Sequence, residues 1–200
     1  MKKWCLGALM MATAAVNAKA ADIALPSPNT AGGGALMEVI GARRSQRNFD
    51  AKRNLSEQDL ADLLWATWGI SSDKGLRVVP TARNLQNIDL YVLRADGVYL
   101  YEAKGNTLKQ LTNRDLRSLM LKGQQFAFDA PVHLLFVTDD ARFGDFHAGS
   151  MYQNAGLFCA DRGLSCVVRA MYDADELKKE MGLIGENKVV MSMAIGYPAK

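Results

Sequence analysis

Ile88-Asp89-Leu90-Tyr91-Val92-Leu93-Arg94-Ala95-Asp96-Gly97-Val98-Tyr99-Leu100-Tyr101 decides the fold class of this 200-residue chain. Asp-Gly between two apolar, aromatic and β-branched runs is the strongest short-range hairpin signal. Residues 88–93 and 98–101 are therefore expected as antiparallel strands joined at Ala95-Asp96-Gly97. Elsewhere helical and strand patterns alternate, which alone would suggest a doubly wound parallel sheet. A hairpin in the middle breaks that order, and no strand-to-helix turn carries a GxGxxG or GxxxxGKS loop. The expectation is an α+β domain, a central mostly antiparallel sheet surrounded by helices.

Downstream of the hairpin, Leu108, Leu111, Leu116 and Leu119 recur at helical spacing, so a helix is expected over residues 106–121, ended by Gly123. The continuous apolar run PVHLLFVT at 131–138 reads as a central strand. A long helix follows over 146–160, with Ala148, Gly149, Ala155, Gly156 and Ala160 allowing another element to approach closely. Strands are expected over 165–170 and 189–195, and a capped helix over 173–181. Upstream, Ser56 is a candidate N-cap with Asp59 at capping-box spacing, Leu60, Leu63, Leu64 and Trp68 mark the buried face, and Gly69 ends the helix. Trp65 and Trp68 at helical spacing read as core or interface. Ala35, Leu36, Val39 and Ile40 mark an earlier amphipathic helix.

Residues 1–20 have the form of a secretory leader: Lys2 and Lys3, an apolar stretch from Trp4 to Val16, then Ala18-Lys19-Ala20 as a small-x-small cleavage site. The apolar stretch is too short to span a bilayer, so no stable membrane insertion is expected after cleavage, and the protein is expected outside the cytoplasm, periplasmic or extracellular. The leader carries Lys2, Lys3 and Lys19 and no acid, so the 24 basic residues of the whole chain fall to 21, matching the 21 acidic ones. A formally neutral mature chain excludes bulk attraction to nucleic acid or anionic lipid. Residues 21–34, with Pro26, Pro28 and three consecutive glycines, read as a flexible tether, leaving 35–200 as the folded domain. Cys159 and Cys166 read as buried structural thiols, and no CxxC motif is present.

The first helix ends in Gly41-Ala42-Arg43-Arg44-Ser45-Gln46-Arg47. Three guanidinium groups and a hydroxyl within five residues suit bidentate phosphate binding, although a basic helix C-terminus that merely complements the helix dipole is the plainer reading. A second polar cluster, Pro80-Thr81-Ala82-Arg83-Asn84-Leu85-Gln86-Asn87, tips the balance. It offers hydroxyl, amide and backbone donors that can hold a flat polar ring without attacking it. His133, in a buried strand, and His147, near a helix start, have no zinc-site spacing, and no GxSxG elbow or carboxylate pair stands out. The residues thus favour holding a phosphate-bearing heterocyclic cofactor that carries the chemistry itself.

Arg43-Arg44-Ser45-x-Arg47-x-Phe49, LSEQDLADLLWATWG at 55–69 and PTARNLQ at 80–86 resemble the flavin-dependent nitroreductase family. The likeness continues in order through Gly123-Gln124, Asp129-Ala130-Pro131-Val132, Gln153-Asn154, Gly163-Leu164 and Gly196-Tyr197-Pro198. Residues 87–111 further resemble the branch containing azoline dehydrogenases, which form thiazoles and oxazoles. The resemblance implies a nitroreductase-like homodimer with FMN in two interfacial sites. Carried over by position, Arg43, Arg44, Ser45 and Arg47 would hold the phosphate and ribityl chain. Pro80, Thr81, Ala82 and Asn84 would line the ring from the partner subunit, with Gln124 a further ring contact. Arg169-Ala170 matches the place where a backbone N–H faces flavin N5. Many relatives reach the phosphate with a C-terminal Lys or Arg, a part left here to Lys200. Ala170 stands where glycine is common, so its φ must be negative.

The implied activity is hydride transfer through flavin N5 between a donor such as NAD(P)H and a small organic acceptor of nitroaromatic, quinone or enone type. The alternatives are the reverse sense, an FMN-dependent dehydrogenase of azoline-like substrates, and a flavin-binding carrier or sensor without turnover. A plain domain with the arginines in surface ion pairs is the remaining possibility.

Overall fold

A computed structural model describes residues 21–200; the expected leader lies outside the described residues. The core element is β5 (Val132–Thr138), every residue of which is buried. It pairs antiparallel with β2 (Asp89–Arg94) on one side and β7 (Lys188–Gly196) on the other. A strand covered on both faces must be apolar throughout, which is why the PVHLLFVT run lacks alternation. β3 (Gly97–Glu102), β4 (Thr107–Thr112) and β1 (Ile23–Ala24) extend the sheet beyond β2, and β6 (Ser165–Arg169) closes it beyond β7. The order is β1-β4-β3-β2-β5-β7-β6, antiparallel at every pairing. Among the described residues five α-helices accompany it, so the domain is α+β as expected.

The hairpin forms in the expected register, with Tyr91 opposite Leu100 and Arg94 opposite Gly97. On one face α2 (Glu57–Trp68) and α4 (Gly144–Asp161) bury Leu60, Leu64 and Met151 against Leu134 and Phe136. Burying each such side chain contributes roughly 1.5–3 kcal/mol. On the other face Leu135 and Val137 pack with Met120, Tyr172 and Leu177, the last from α5 (Ala174–Glu180). The Ser56 hydroxyl caps α2 by accepting from Asp59 N–H at 3.0 Å. Gly69 ends it because a Cβ there would lie 2.4 Å from the Trp65 ring. Asp173 caps α5 through Glu176 N–H.

Two expectations are corrected. Residues 106–121 are not one helix. Gly105 and a left-handed Asn106 (φ 46°) fold the chain back so that Thr107–Thr112 pairs with β3 as β4, and only Arg117–Met120 is helical, as a 3₁₀ turn. The Lys104-Gly105-Asn106 turn outweighs the leucine spacing, since only Leu108 of the β4 pair of leucines is buried and Leu111 faces out. Residues 21–34 are extended as expected, yet they are fixed to the domain rather than flexible. Ile23–Ala24 pairs with β4, Asn29 donates backbone and side-chain N–H to the buried Asp62 carboxylate (2.7 and 3.2 Å), and Gly34 N–H reaches Asp161.

The short helix α1 (Leu36–Ala42) ends where expected, but none of its residues is buried. Leu36 and Met37 remain 66% and 76% exposed, so the apolar stripe read from the sequence is left uncovered within a single chain.

Candidate functional site

The arginine segment leaves α1 at Arg43 and crosses the end of the sheet formed by β6 and β7. Gln46 N–H donates to Cys166 O at 2.8 Å, Asp50 N–H donates to Tyr197 O at 2.9 Å, and Phe49 is buried against Val167 and Ala194. The same crossing brings Asn48 Nδ2 to Ala199 O at 3.0 Å, which places Lys200 alongside the arginines. Arg43 lies over the small surface of α4 at Gly156. Arg44 turns back onto Gly41 and Arg43 carbonyls at 2.8 Å, while Ser45 stays exposed.

Among the described residues no acid pairs with Arg43, Arg44 or Arg47. The arginines therefore do not form the surface ion pairs of the plain-domain reading. An uncompensated cluster of planar donors is the arrangement that takes up a phosphate.

Arg47 and Arg169 converge on one ring. Their guanidinium carbons stand 5.8 and 5.4 Å from the Phe126 centroid. Phe126 opens the short helix α3 (Phe126–Asp129), whose role was not legible in the sequence. Arg169, the last residue of β6, is only 5% exposed. Its Nε donates to Gln124 Oε1 at 3.0 Å and its Nη2 to Met171 O at 2.7 Å, while Nη1 has no partner among the described residues. Burial lowers its pKa, though an arginine stays charged. A buried cation with a spare donor beside the solvent-facing Arg47 fits an anionic or carbonyl-rich ligand. Ala170 follows, exposed and without positive φ, so the condition set by alanine at that position is met.

The second cluster occupies the opposite end of α4. Residues 82–84 form a 3₁₀ turn with Arg83 and Asn84 in the left-handed region (φ 52° and 57°), as is Gln86 (47°). Three non-glycine residues in that region store strain of about 1–3 kcal/mol each, which persists only where surrounding contacts hold it. Gln86 N–H bonds Thr81 Oγ1 at 3.1 Å, Gln86 Nε2 bonds Asn84 Oδ1 at 2.9 Å, and Ala82 N–H bonds His147 Nε2 at 2.8 Å. Pro80, Thr81, Ala82 and Asn84 remain at least partly accessible.

One chain does not bring the two clusters together. His147 supports the second cluster and Gly156 the first; nine residues of helix separate them by about 13.5 Å. Within the chain the structure brings Arg47 together with Arg169 and Gln124 around Phe126, with Arg43, Arg44 and Ser45 on the same segment as Arg47, Ala170 next to Arg169, and Lys200 next to the Ala199 carbonyl; residues 80–84 lie toward the other end of α4.

Two sequence readings outside the site also find their place. His133 is a core residue: burial drives its pKa down to about 3, against the opposing bond to Ala127 O at 2.8 Å. Cys159 and Cys166 are buried free thiols facing one another under Arg43. Bonding to Cys166 and burial push the Cys159 thiol up, whereas the bond from Cys159 and the Arg43 charge hold Cys166 lower. Among the described residues no group of three or more His, Cys, Asp or Glu is placed to hold a metal ion, and no helix is long and apolar enough to cross a membrane.

Comparison with known proteins gives consistent results. A family model described as the nitroreductase family matches residues 40–197. A crystal structure from Ralstonia eutropha JMP134, provisionally described as a nitroreductase, superposes with a TM-score of 0.82 at 33% identity, covering 90% of each chain. A Methanocaldococcus jannaschii protein provisionally named a nitroreductase is 26% identical over 159 residues, 69% of this chain and 80% of its own length. A structure described as an oxidoreductase containing FMN shares the fold at a TM-score of 0.61 and 18% identity, covering 87% of this chain and 81% of its own.

Proposed function

The chain belongs to the nitroreductase family, and from that premise we propose that it is an FMN-dependent oxidoreductase acting as a homodimer. The observation that carries the proposal is the unpaired arginine group at the β6–β7 end of the sheet, joined there by Arg169 and Gln124. Arg43, Arg44, Ser45 and Arg47, with Lys200, bind the phosphate and ribityl chain. Arg169 and Gln124 stand at the ring, and Ala170 presents its backbone N–H toward N5. When bound, FMN supplies the hydride-accepting atom, which lets a donor and then a small acceptor use the same ring face.

A second subunit completes the site. Pro80, Thr81, Ala82 and Asn84 belong to the ring pocket by family position, yet lie at the far end of α4 from Arg43 in the same chain. Exposed Leu36 and Met37, beside an apolar groove of about 550 Å³ lined by Leu36, Val39, Trp65, Leu157 and Phe158, offer the face on which such a subunit would dock. The groove itself adjoins α1 rather than Arg47 and Gln124, so it reads as interface and not as the reaction site.

The acceptor is a small planar molecule of nitroaromatic, quinone or enone type. The likeness of residues 87–111 to azoline dehydrogenases supports the opposite direction as a second reading, with FMN oxidising an azoline. The leader pattern in residues 1–20 supports export through the general secretory route as an unfolded chain. FMN held by distant segments and two subunits would then be acquired after translocation.

A visible spectrum of the purified protein tests the proposal. Flavin bands near one per chain, bleached anaerobically by NADH, NADPH or a quinol and restored by a quinone or nitroarene, are expected. A protein that takes up no flavin from added FMN overturns it, and one that keeps a flavin no donor reduces is a carrier.

A further inference from the structure

His147 sits in the first turn of α4 and is 4% exposed, yet it touches neither the arginine cluster nor a metal site. Its two ring nitrogens do different work. Nε2 accepts the Ala82 N–H at 2.8 Å. That bond needs a lone pair on Nε2, so the ring proton is on Nδ1, which donates to Asn87 Oδ1 at 2.9 Å. Asn87 Nδ2 then donates to Asp140 Oδ2 at 2.7 Å, and Asp140 Oδ1 is held by Arg142 and Phe143 N–H at 2.8 and 2.9 Å. These N–H donors, Phe143 first and Asn87 next, keep the Asp140 carboxyl below its ordinary range. The chain Asp140–Asn87–His147–Ala82 is thus polarised in one direction, from a fixed carboxylate to a backbone N–H. It ends on the residue that starts the left-handed Arg83-Asn84 turn.

We propose that His147 is a positioning residue: its Nε2 seats residues 81–84 through the Ala82 N–H, so flavin binding depends on an acceptor at this position. The inference rests on the FMN reading above, because the turn matters only if Thr81, Ala82 and Asn84 face the flavin of the second subunit. It also refines that reading. Ala82 N–H is already engaged, so the donors left to the ring are the Thr81 hydroxyl, the Asn84 amide and Arg83.

The seated turn requires an acceptor where Nε2 stands. The ring is held there by Asn87, itself fixed by the Asp140 carboxylate, and by the Phe143 ring stacked at 6.0 Å. A side chain without that acceptor leaves the Ala82 N–H unpaired and releases the turn.

The test is an FMN titration of the full mature protein, wild type, His147→Gln and His147→Leu, beside thermal melts of the flavin-free proteins. The Gln side-chain oxygen can accept the Ala82 N–H, whereas Leu orphans it. His147→Gln should match wild type, and His147→Leu should bind about tenfold more weakly. Rescue by Gln supports the proposal. His147→Leu binding as tightly as wild type overturns it, and so does His147→Gln binding about tenfold more weakly while melting with wild type, even if His147→Leu does not fold. Absence of FMN binding by wild type would instead remove the FMN reading itself.

Discussion

Arg43 rests directly on Gly156: a Cβ built on the glycine would lie 3.4 Å from Arg43 Cδ and 3.9 Å from Met193 Cε. The distances rank the substitutions. Gly156→Ala puts a methyl in ordinary contact and replaces glycine within a helix, a gain of up to about 1 kcal/mol. Gly156→Leu has no room and must lift Arg43 from α4. We predict that the Ala variant raises the melting temperature slightly and keeps FMN affinity. The Leu variant should lose at least several-fold in affinity while the sheet stays folded. Titration of FMN into both, beside thermal melts, separates the outcomes, and equal affinity would show that Arg43 takes no part in binding.

Arg43→Ala and Arg47→Ala each remove charge-assisted hydrogen bonds worth roughly 1.5–3 kcal/mol from a site where no acid is left behind unpaired. The expected result is about a tenfold to hundredfold weaker FMN with melting of the flavin-free protein little changed. Two variants that keep flavin after extensive dilution would place the phosphate elsewhere.

How much of this was legible in the sequence depended on whether the signal was local. Asp96-Gly97, Ser56 with Asp59, Gly69 and the unbroken run at β5 each carry their own cause, and each element formed where expected. The helix expected across 106–121 failed because leucines at 108, 111, 116 and 119 also suit a strand followed by a 3₁₀ turn, and the deciding signal was the Lys104-Gly105-Asn106 turn. The docking of residues 21–34 was invisible for another reason. Its anchor, Asp62, lies on α2, and an acid on an apolar helix reads as solvated until the fold brings Asn29 beside it.

The site shows the same divide. Arg43, Arg44 and Arg47 were conspicuous as a run of like charge, and Pro80 to Asn84 as a polar loop after a proline. Phe126 and His147 were not, since their partners come from elsewhere in the chain: Arg169 at 43 residues' remove for Phe126 and Ala82 at 65 for His147.

Asp62 is 2% exposed and accepts from Asn29 N–H, Asn29 Nδ2 and Gln58 Nε2, with Arg162 Nη2 at 3.5 Å. Asp62→Ala leaves the two Asn29 donors without their acceptor, each costing about 1–3 kcal/mol where it stays buried, while Gln58 keeps Ser27 O and Arg162 keeps Asp161. The cheapest relief is release of residues 25–34. We predict a loss of a few kcal/mol in stability and new protease cleavage within 25–34, read by denaturant melts and limited proteolysis. A variant as stable and as resistant as wild type would mean that Asp62 does not hold this segment.

Arg169 supplies the last test, because its effect on the flavin has a definite sign. It is a buried cation without an acid partner in the described residues, positioned at the Phe126 ring and one residue before Ala170. A reduced flavin is more negative than an oxidised one, so a nearby fixed cation favours reduction and raises the midpoint potential, and low dielectric strengthens the effect. Arg169→Met keeps much of the volume and removes the charge. Met171 O and Gln124 lose their donor, but both residues border solvent and water can replace it, so the fold should survive. We predict a midpoint lower by about 30–60 mV, equivalent to a tenfold to hundredfold shift in the two-electron equilibrium. The measurement is anaerobic reduction of the FMN-loaded protein against reference dyes, with Arg169→Lys as a control that keeps the charge and loses the fork. A potential that falls in Met and stays within about 15 mV in Lys assigns the effect to charge. Unchanged or higher potential in Arg169→Met would place this guanidinium outside the field of the flavin.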